Sequence, residues 1–238
     1  MKGKVISILA ILLLLSGCSS MRHNLSGVQT VIDWVDFVKL NGKNYTGLYD
    51  AVIQEPSDIT DVVVGTVKFK VADHVTNTNY KTRDGDAAFL EIGTSLYKVK
   101  GYDNNEIIAV KDSQRIGGYK LYVQDDDVRS IRKHYMDLDR SRVEHIELYH
   151  NGETKPFNVL KDQDVKTFIQ YLDTGQDSPD YMAKTQDGDP AFYEMVFYID
   201  GPFAYMYNIL DDGEQVYFHP WDTRLVSPNI RQYLKSSS

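Results

Sequence analysis

Apolar residues recur at every second position through much of the chain between residues 31 and 124, which is the period of a half-buried β-strand. The clearest case is residues 62–73, where the apolar set is Val67, Phe69 and Val71 and the polar set is Thr66, Lys68 and Lys70. Further strands are predicted at residues 87–92, 94–102, 105–112 and 117–124. We expect about six or seven short strands and no helix in this half.

Three dipeptides between apolar stretches predict tight turns. Asn41-Gly42 and Asn151-Gly152 are Asn-Gly pairs, in which both residues tolerate the positive φ of a type I′ turn. Asp200-Gly201 separates two strand-like stretches within residues 191–210. Each pair therefore predicts a β-hairpin.

The pattern changes to a helical period at residues 124–142. Val128, Ile131, Tyr135 and Leu138 recur at spacings of three, four and three, and an Asp cluster at residues 125–127 suits a helix start. We expect a helix here that links two domains, with its charged residues on a solvated face.

The second half predicts the order β-β-α-β-β-β-α. Residues 161–175 form the clearest helix, with Asp162 as N-cap, an apolar stripe of Val165, Phe168, Ile169 and Leu172, and Gly175 at its end. Ser227-Pro228 opens a short final helix, because Ser caps well and Pro suits the first helical position. The expected fold class is α+β and β-rich: a mostly-β domain at residues 28–124, a helical linker at 125–142, and a smaller domain of antiparallel sheet plus helix at 143–238.

The N-terminus has the pattern of a secretory signal. Lys2 and Lys4 precede an apolar run of eleven residues at positions 5–15, which is shorter than the roughly 20 residues a helix needs to cross a bilayer. The run ends in Leu15-Ser16-Gly17-Cys18, which resembles the bacterial lipobox. That resemblance implies cleavage after residue 17 and a diacylglyceryl group on Cys18.

A lipidated Cys18 would anchor the mature chain to the membrane without spanning it. Each buried methylene contributes about 0.8 kcal/mol, so two or more acyl chains such as palmitate hold stably. Residues 18–27 are polar and lack periodicity, so they are predicted to be a tether with a reach of about 15–18 Å.

The composition and net charge of the chain limit the classes of partner that it can bind. Removal of residues 1–17 takes away two of the 26 Lys and Arg residues and none of the 34 Asp and Glu residues, so the formal charge of residues 18–238 is −10. This charge argues against nucleic acid as a partner. Cys18 is the single cysteine, so no intramolecular disulfide forms, and 17 tyrosines with 9 phenylalanines favour a β-rich globular chain.

A ten-residue stretch occurs twice, as TRDGDAAFLE at residues 82–91 and TQDGDPAFYE at residues 185–194, with seven identities. Asp84, Asp86, Asp187 and Asp189 are therefore candidate cation ligands. The spacing is wrong for an EF-hand, which has Gly after its Asp series and Glu at position 12. We interpret each Asp-Gly-Asp as a turn that leads into a strand. Because the flanks differ, domain duplication is disfavoured.

Three histidines are candidates for metal or catalytic roles. His145 and Glu147 share one face of a predicted strand, and a surface contact between them is favoured over a metal site. His219 precedes Pro220 and Trp221, where either an aromatic-lined pocket or packing of Trp221 on a helix is conceivable. We predict no metal and no cofactor.

Catalytic motifs are absent from the sequence. There is no G-x-S-x-G elbow, no P-loop, no H-E-x-x-H, and no cysteine nucleophile once Cys18 is acylated. This disfavours an enzyme without excluding one, since dispersed carboxylates and histidines can assemble in space.

The stretches WVDFVKLNGKNYTG at residues 34–47 and DGDAAFLEIGTSLYKVKGY at residues 84–102 resemble segments of poorly characterised lipoproteins of Bacillus-like Gram-positive bacteria. The resemblance covers mainly the first half of the mature chain. It implies a location on the outer face of a single cytoplasmic membrane and supplies no catalytic or ligand residues.

Three functional hypotheses follow. The first is a non-enzymatic, lipid-anchored binding module that contacts an envelope protein or a cell-wall component through exposed tyrosines and sheet surfaces. The second is an envelope hydrolase with an Asp/His site around His219 or Asp187 and Asp189. The third is a solute-capturing lipoprotein.

Overall fold

The computed structural model describes residues 32–102, 105–186 and 188–235. They form a β-rich fold of two mainly antiparallel sheets with few helices, as the sequence predicted. Cys18, residues 1–17 and the tether at 18–27 lie outside the described residues. In the described part of the chain, no helix combines the length and the apolar character needed to cross a membrane.

The first sheet has eight strands in the spatial order β4-β7-β8-β9-β2-β1-β6-β5. Their bounds are β1 Phe37–Leu40, β2 Lys43–Leu48, β4 Ile59–Thr66, β5 Phe69–Lys70, β6 Asp86–Ala87, β7 Ser95–Val99, β8 Ile107–Lys111 and β9 Tyr119–Gln124. β1 and β2 form the predicted hairpin. Asn41 and Gly42 have φ values of 52° and 77°, both in the positive range that a type I′ turn requires.

This sheet closes into a small barrel. Its two outermost strands, β4 and β5, belong to one continuous segment. Between them, the Val67 N–H donates to Thr94 O near β7 at 2.9 Å, and the Lys68 N–H donates to Gly85 O near β6 at 2.8 Å. Apolar side chains from strands around the sheet pack together in one buried cluster, namely Val38, Leu40, Tyr45, Val67, Ala87, Leu96, Ile108, Val110 and Tyr122. Closure protects the sheet edges.

The second sheet has the order β11-β10-β13-β14-β15-β16-β12. Its strands are β10 His145–His150, β11 Asn158–Lys161, β12 Gln176–Asp177, β13 Ala191–Tyr198, β14 Phe203–Asp211, β15 Val216–Phe218 and β16 Arg224–Val226. β3, Ala51–Ile53, comes from the first half of the chain but pairs with Phe203–Tyr205 of β14. Only two residues, Tyr49 and Asp50, separate β2 in the barrel from β3 in the second sheet.

One hydrophobic core lies between the barrel and the second sheet. It contains Val99, Ile107 and Leu121 from the barrel together with Ile146, Phe197 and Ile209 from the second sheet. The helix Gln163–Asp173, here α3, adds Val165, Phe168 and Leu172, as its apolar stripe predicted. Asp162 occupies the N-cap position, as predicted, but its φ is 50° and its side chain makes no capping hydrogen bond.

The predicted helix at residues 124–142 is wrong. The segment contains one α-helical turn, α2 Val128–Ile131, and two 3₁₀ turns, Tyr135–Asp137 and Arg140–Arg142. Tyr135 is buried edge-on against Phe197, Tyr207 and Phe218, and its hydroxyl donates to Asp173 at 2.9 Å. Packing of the buried side chains against the core therefore replaces a continuous helical period with separate turns.

Two strand predictions in the first half also need correction. The strand expected at residues 62–73 is interrupted after Thr66, resumes as β5 and ends at Lys70. A one-turn helix, α1 Val71–His74, follows, so the expectation of no helix in this half is wrong. The strand expected at residues 87–92 is limited to the two-residue β6. The buried Val71 and Ala88 pack together beside Val75, so burial in a small side cluster explains the apolar pattern there. The final helix is a 3₁₀ turn, Pro228–Gln232, in which Ser227 accepts the Asn229 N–H as predicted.

Candidate functional site

A cleft of about 340 Å³ opens where the barrel meets the outer face of the second sheet. The loop between β8 and β9 forms one wall, and the β2–β3 crossover and the β10–β11 turn form others. The side chains that define its chemistry are Tyr49, Asp112, Arg115, Lys120, Glu153 and Glu194. Val52, Ile116 and Met206 supply apolar surface. Both signs of charge therefore meet in one concave surface.

Two features of the β8–β9 loop place it over the second sheet. Ile116 is buried with Val52, Val196 and Ala204 on the outer face of that sheet. The next residue, Gly117, has a φ of 76°, and a Cβ there would lie 2.4 Å from the carbonyl oxygen of Ile53. Only glycine permits this close approach. The loop is thereby fixed against β3, and Arg115 is held at the cleft.

A buried carboxylate joins the segments beneath the cleft. Asp36 Oδ2 lies 2.5 Å from Lys120 Nζ and accepts the Tyr49 hydroxyl at 2.5 Å, while Oδ1 accepts the Tyr122 hydroxyl at 3.0 Å. The side chains of Asp36 and Lys120 are only 6% and 13% exposed. Gly47 makes room for this carboxylate, since a Cβ there would lie 2.4 Å from Asp36 Oδ2.

The network also changes the acidity of its tyrosines. Burial, followed by the hydrogen bond to Asp36, raises the pKa of Tyr49 to about 12. Burial and the charge of Asp36 likewise raise the pKa of Tyr122. Both hydroxyls therefore stay protonated at neutral pH and act as hydrogen-bond donors.

Arg115 is the second positive charge of the cleft, and it forms a long ion pair with Asp112. Its guanidinium lies over the Tyr49 ring, 5.0 Å from the centroid, and its Nε is 3.8 Å from Asp112 Oδ2. Within the described residues, neither Nη atom donates a hydrogen bond to protein. A guanidinium attracted to a ring face can still use its N–H donors, so the Nη donors can bind an acceptor from a ligand.

Glu194 is a further carboxylate that lines the cleft. It lies on the outer face of β13, half-buried, with no hydrogen-bond partner among the described residues. Desolvation raises the pKa of Glu194, and the charge of Arg115 partly opposes this rise. A desolvated carboxylate without a donor is suited to accept one from a ligand.

The first Asp-Gly-Asp is a turn, as interpreted from the sequence. Asp84 Oδ1 accepts the Gly42 N–H at 2.7 Å, which connects this turn to the β1–β2 hairpin. Asp86, only 4% exposed, accepts the Tyr80 hydroxyl and the Arg83 N–H through Oδ2, both at 2.8 Å. These carboxylates are occupied in holding the loop together.

Of the second Asp-Gly-Asp, Asp187 lies outside the described residues. Asp189 is exposed, Gly188 has a φ of 125°, and β13 begins two residues after Asp189. This stretch therefore also leads into a strand. Among the residues that the structure describes, no group of three His, Cys, Asp or Glu side chains is placed to hold a metal ion.

His219 is not part of the cleft. It is exposed, and its Nδ1 lies 3.3 Å from the Thr223 hydroxyl. Trp221 is 63% exposed and stacks on His134 at 3.9 Å between ring centroids, so the predicted packing of Trp221 on a helix is wrong.

The predicted contact of His145 with Glu147 is present, at 3.9 Å between Nε2 and Oε1. Glu147 Oε2 also accepts the hydroxyls of Tyr149 and Tyr198, the latter at 2.7 Å, and His145 stacks on Tyr198. This group is a satisfied polar cluster on the outer face of the second sheet.

The cleft residues were missed in the sequence. Asp36, Tyr49, Arg115 and Glu194 belong to no motif; Asp36 and Tyr49 are 13 residues apart, and long stretches of chain separate them from Arg115 and Glu194. The one local signal is Gly117-Gly118, which marks a loop with unusual backbone after Arg115.

Comparison with known proteins adds no relative. No protein-family model matches the chain, and no similar curated protein or solved structure is found.

Proposed function

We propose that this chain is a lipid-anchored, extracytoplasmic binding module, attached to the membrane through Cys18, that holds a component of the cell envelope in the cleft between its barrel and its second sheet. The observation that carries the proposal is the cleft itself. Its volume of about 340 Å³ falls within the usual range of ligand sites, and it combines apolar surface with a few charged groups.

The cleft is built for recognition because its walls are held before any ligand arrives. The buried Asp36–Lys120 pair connects the segment before β1 to the start of β9. The Tyr49 hydroxyl, from the β2–β3 crossover, donates to the same carboxylate. Rigid walls reduce the entropy that binding would otherwise cost. The signal-like N-terminus and the lipobox resemblance support the location.

The hydrolase alternative requires His219 to act beside carboxylates. The ring nitrogen of His219 instead contacts the Thr223 hydroxyl, and Asp189 is exposed at the start of β13. No observation on the described residues favours this alternative over binding.

Photo-crosslinking tests the binding proposal. A photoreactive amino acid replaces Gln114, an exposed residue of the cleft rim, in the membrane-anchored protein in cells. The control carries the same group at Met182, which is 88% exposed and lies away from the cleft. We expect an adduct with an envelope component at Gln114 and none at Met182. The same adducts at both positions, or none at either, would overturn the proposal.

A second experiment tests the anchor. Cys18→Ala removes the thiol that the lipid requires, so we expect the protein to leave the membrane fraction after cell fractionation. Retention in the membrane after signal cleavage would contradict the anchor. Crosslinking at Gln114 tests the cleft independently of the anchor.

A further inference from the structure

The charges of the cleft do not balance within the protein. Lys120 is paired with Asp36 at 2.5 Å, whereas Arg115 forms only a long ion pair with Asp112, at 3.8 Å, that does not use its Nη donors. Three carboxylates, Asp112, Glu153 and Glu194, lie in the same cleft. A ligand that carries only a carboxylate would meet these three negative charges, and a ligand that carries only an amine would meet Arg115.

We propose that the cleft binds a short peptide with free termini, whose carboxylate is held by Arg115 and whose ammonium group is held by Glu194. This rests on the proposed binding function and names the chemistry of its ligand. A zwitterion satisfies Arg115 and Glu194 at once. Its carboxylate can accept hydrogen bonds from the Nη donors of Arg115. Its ammonium group can donate to the half-buried carboxylate of Glu194, which accepts no hydrogen bond from the described residues.

The Arg115 side of the cleft is shaped for a carboxylate. The guanidinium lies over the Tyr49 ring, 5.0 Å from its centroid, and its Nη donors can form the two parallel hydrogen bonds that a carboxylate accepts. The contact to Asp112 involves Nε at 3.8 Å, which is too long for a hydrogen bond and leaves these donors unused.

The remaining lining of the cleft suits a peptide. Val52, Ile116 and Met206 offer apolar contact to side chains, while the amides of Gln114 and Asn151 offer donors and acceptors to peptide groups. A volume of about 340 Å³ suits a peptide of a few residues better than a folded domain.

Four pools of tripeptides test the proposal. Their side chains are restricted to Gly, Ala, Ser and Val, so that only the termini carry charge. One pool has free ends, one is N-acetylated, one is C-amidated, and one is blocked at both ends. The full-length chain in detergent micelles is equilibrated with each pool by dialysis, and bound peptides are quantified by mass spectrometry. We expect the pool with free ends to bind about tenfold or more better than either singly blocked pool, as expected for the loss of one charge-assisted pair.

Two variants identify which residue binds each terminus of the peptide. Arg115→Gln should remove the preference for a free carboxylate and keep the preference for a free amine, whereas Glu194→Gln should do the reverse. Arg142→Gln, on an exposed surface pair with Asp200, is the control and should keep both preferences. A general loss of folding would affect both preferences together, so the two patterns are distinguishable from it.

The peptide inference is overturned if the pool with free ends binds no better than the doubly blocked pool, or if the two variants show the same preferences as the control. If crosslinking at Gln114 still captures an envelope component in that case, the proposed function stands and only the ligand class is wrong. If peptides bind but Gln114 captures nothing, the envelope partner is wrong and the ligand class stands.

Discussion

Asp36 shows how much of this structure depends on a single side chain. Its carboxylate accepts two tyrosine hydroxyls and pairs with Lys120, so the segment before β1 is joined to β9 through Lys120 and Tyr122 and to the β2–β3 crossover through Tyr49. A buried ion pair contributes little net stability against an apolar replacement, but removing one partner leaves an uncompensated charge. The carboxylate is thus both a structural junction and the support of the cleft wall.

Asp36→Asn should destabilise the protein by about 3–5 kcal/mol, because the buried ammonium of Lys120 loses its counter-charge. The free energy of unfolding from urea titration measures this. Asp200→Asn is the control, since its exposed pair with Arg142 should contribute about 1 kcal/mol or less. Equal effects of the two variants would show that the Asp36 network has no special role.

Asp212 gives the protein a defined response to acid. Burial disfavours its charge, but hydrogen bonds from the Tyr181 hydroxyl and from backbone N–H groups outweigh this and lower its pKa to about 2, from 3.8. Since the folded pKa is the lower one, the stabilisation is present above about pH 4 and is lost as the pH falls toward 2.

The Asp212→Asn variant tests this response. The difference in unfolding free energy between wild type and variant should be largest above pH 4 and should shrink steadily between pH 4 and pH 2. Chemical unfolding at several pH values measures it. A difference that does not change with pH would show that the ionised carboxylate is not the stabilising form.

At the scale of elements, local sequence signals predicted the β1–β2 hairpin correctly and the helix at residues 124–142 wrongly. The β1–β2 hairpin follows from Asn41-Gly42, because the turn is determined by the backbone preferences of two adjacent residues. The helix expected at residues 124–142 is broken into turns, because Tyr135 and Leu138 are buried in the shared core. A spacing of three or four fits a helix and also fits separate turns that direct the same side chains inward.

The β8–β9 loop offers a matched pair of glycines. Gly117 and Gly118 have φ values of 76° and 75°, but only at Gly117 would a Cβ collide with the Ile53 carbonyl. Gly118→Ala should therefore cost about 1 kcal/mol for the backbone conformation alone. Gly117→Ala should cost clearly more, because the loop must also move away from β3.

Thermal unfolding of both variants measures this difference, and peptide binding shows whether Arg115 has moved. We expect Gly117→Ala to weaken binding and Gly118→Ala to retain it. Equal stability losses in the two variants would contradict the role assigned to the contact with Ile53.

At the scale of the whole molecule, β3 and the shared core join the two halves of the chain. Ile53 is fully buried in β3 and belongs to the same cluster as Leu121 of the barrel and Phe197 of the second sheet. The division into domains at residues 28–124 and 143–238 stays a prediction about independent folding. The shared core leads us to expect that the two halves unfold together.

The two tryptophans provide a probe in each half. In the Trp221→Phe variant, the remaining Trp34 reports by its fluorescence on the segment before β1, beside the barrel. In the Trp34→Phe variant, the remaining Trp221 reports on the second half through its stack on His134. We expect both variants to show a single urea transition whose midpoint also matches far-UV circular dichroism. Clearly separated midpoints would show two independent domains.

The sequence by itself determined the β-rich class, the Asn41-Gly42 turn, the amphipathic helix α3 and the role of the first Asp-Gly-Asp as a turn. All of these depend on preferences of neighbouring residues. Only the tertiary structure decided that β3 leaves the barrel for the second sheet and that Asp36, Arg115 and Glu194 surround one cleft. Asp36 and its partner Tyr122 are 86 residues apart, and such pairings depend on barrel closure and core packing, which local periodicity does not encode.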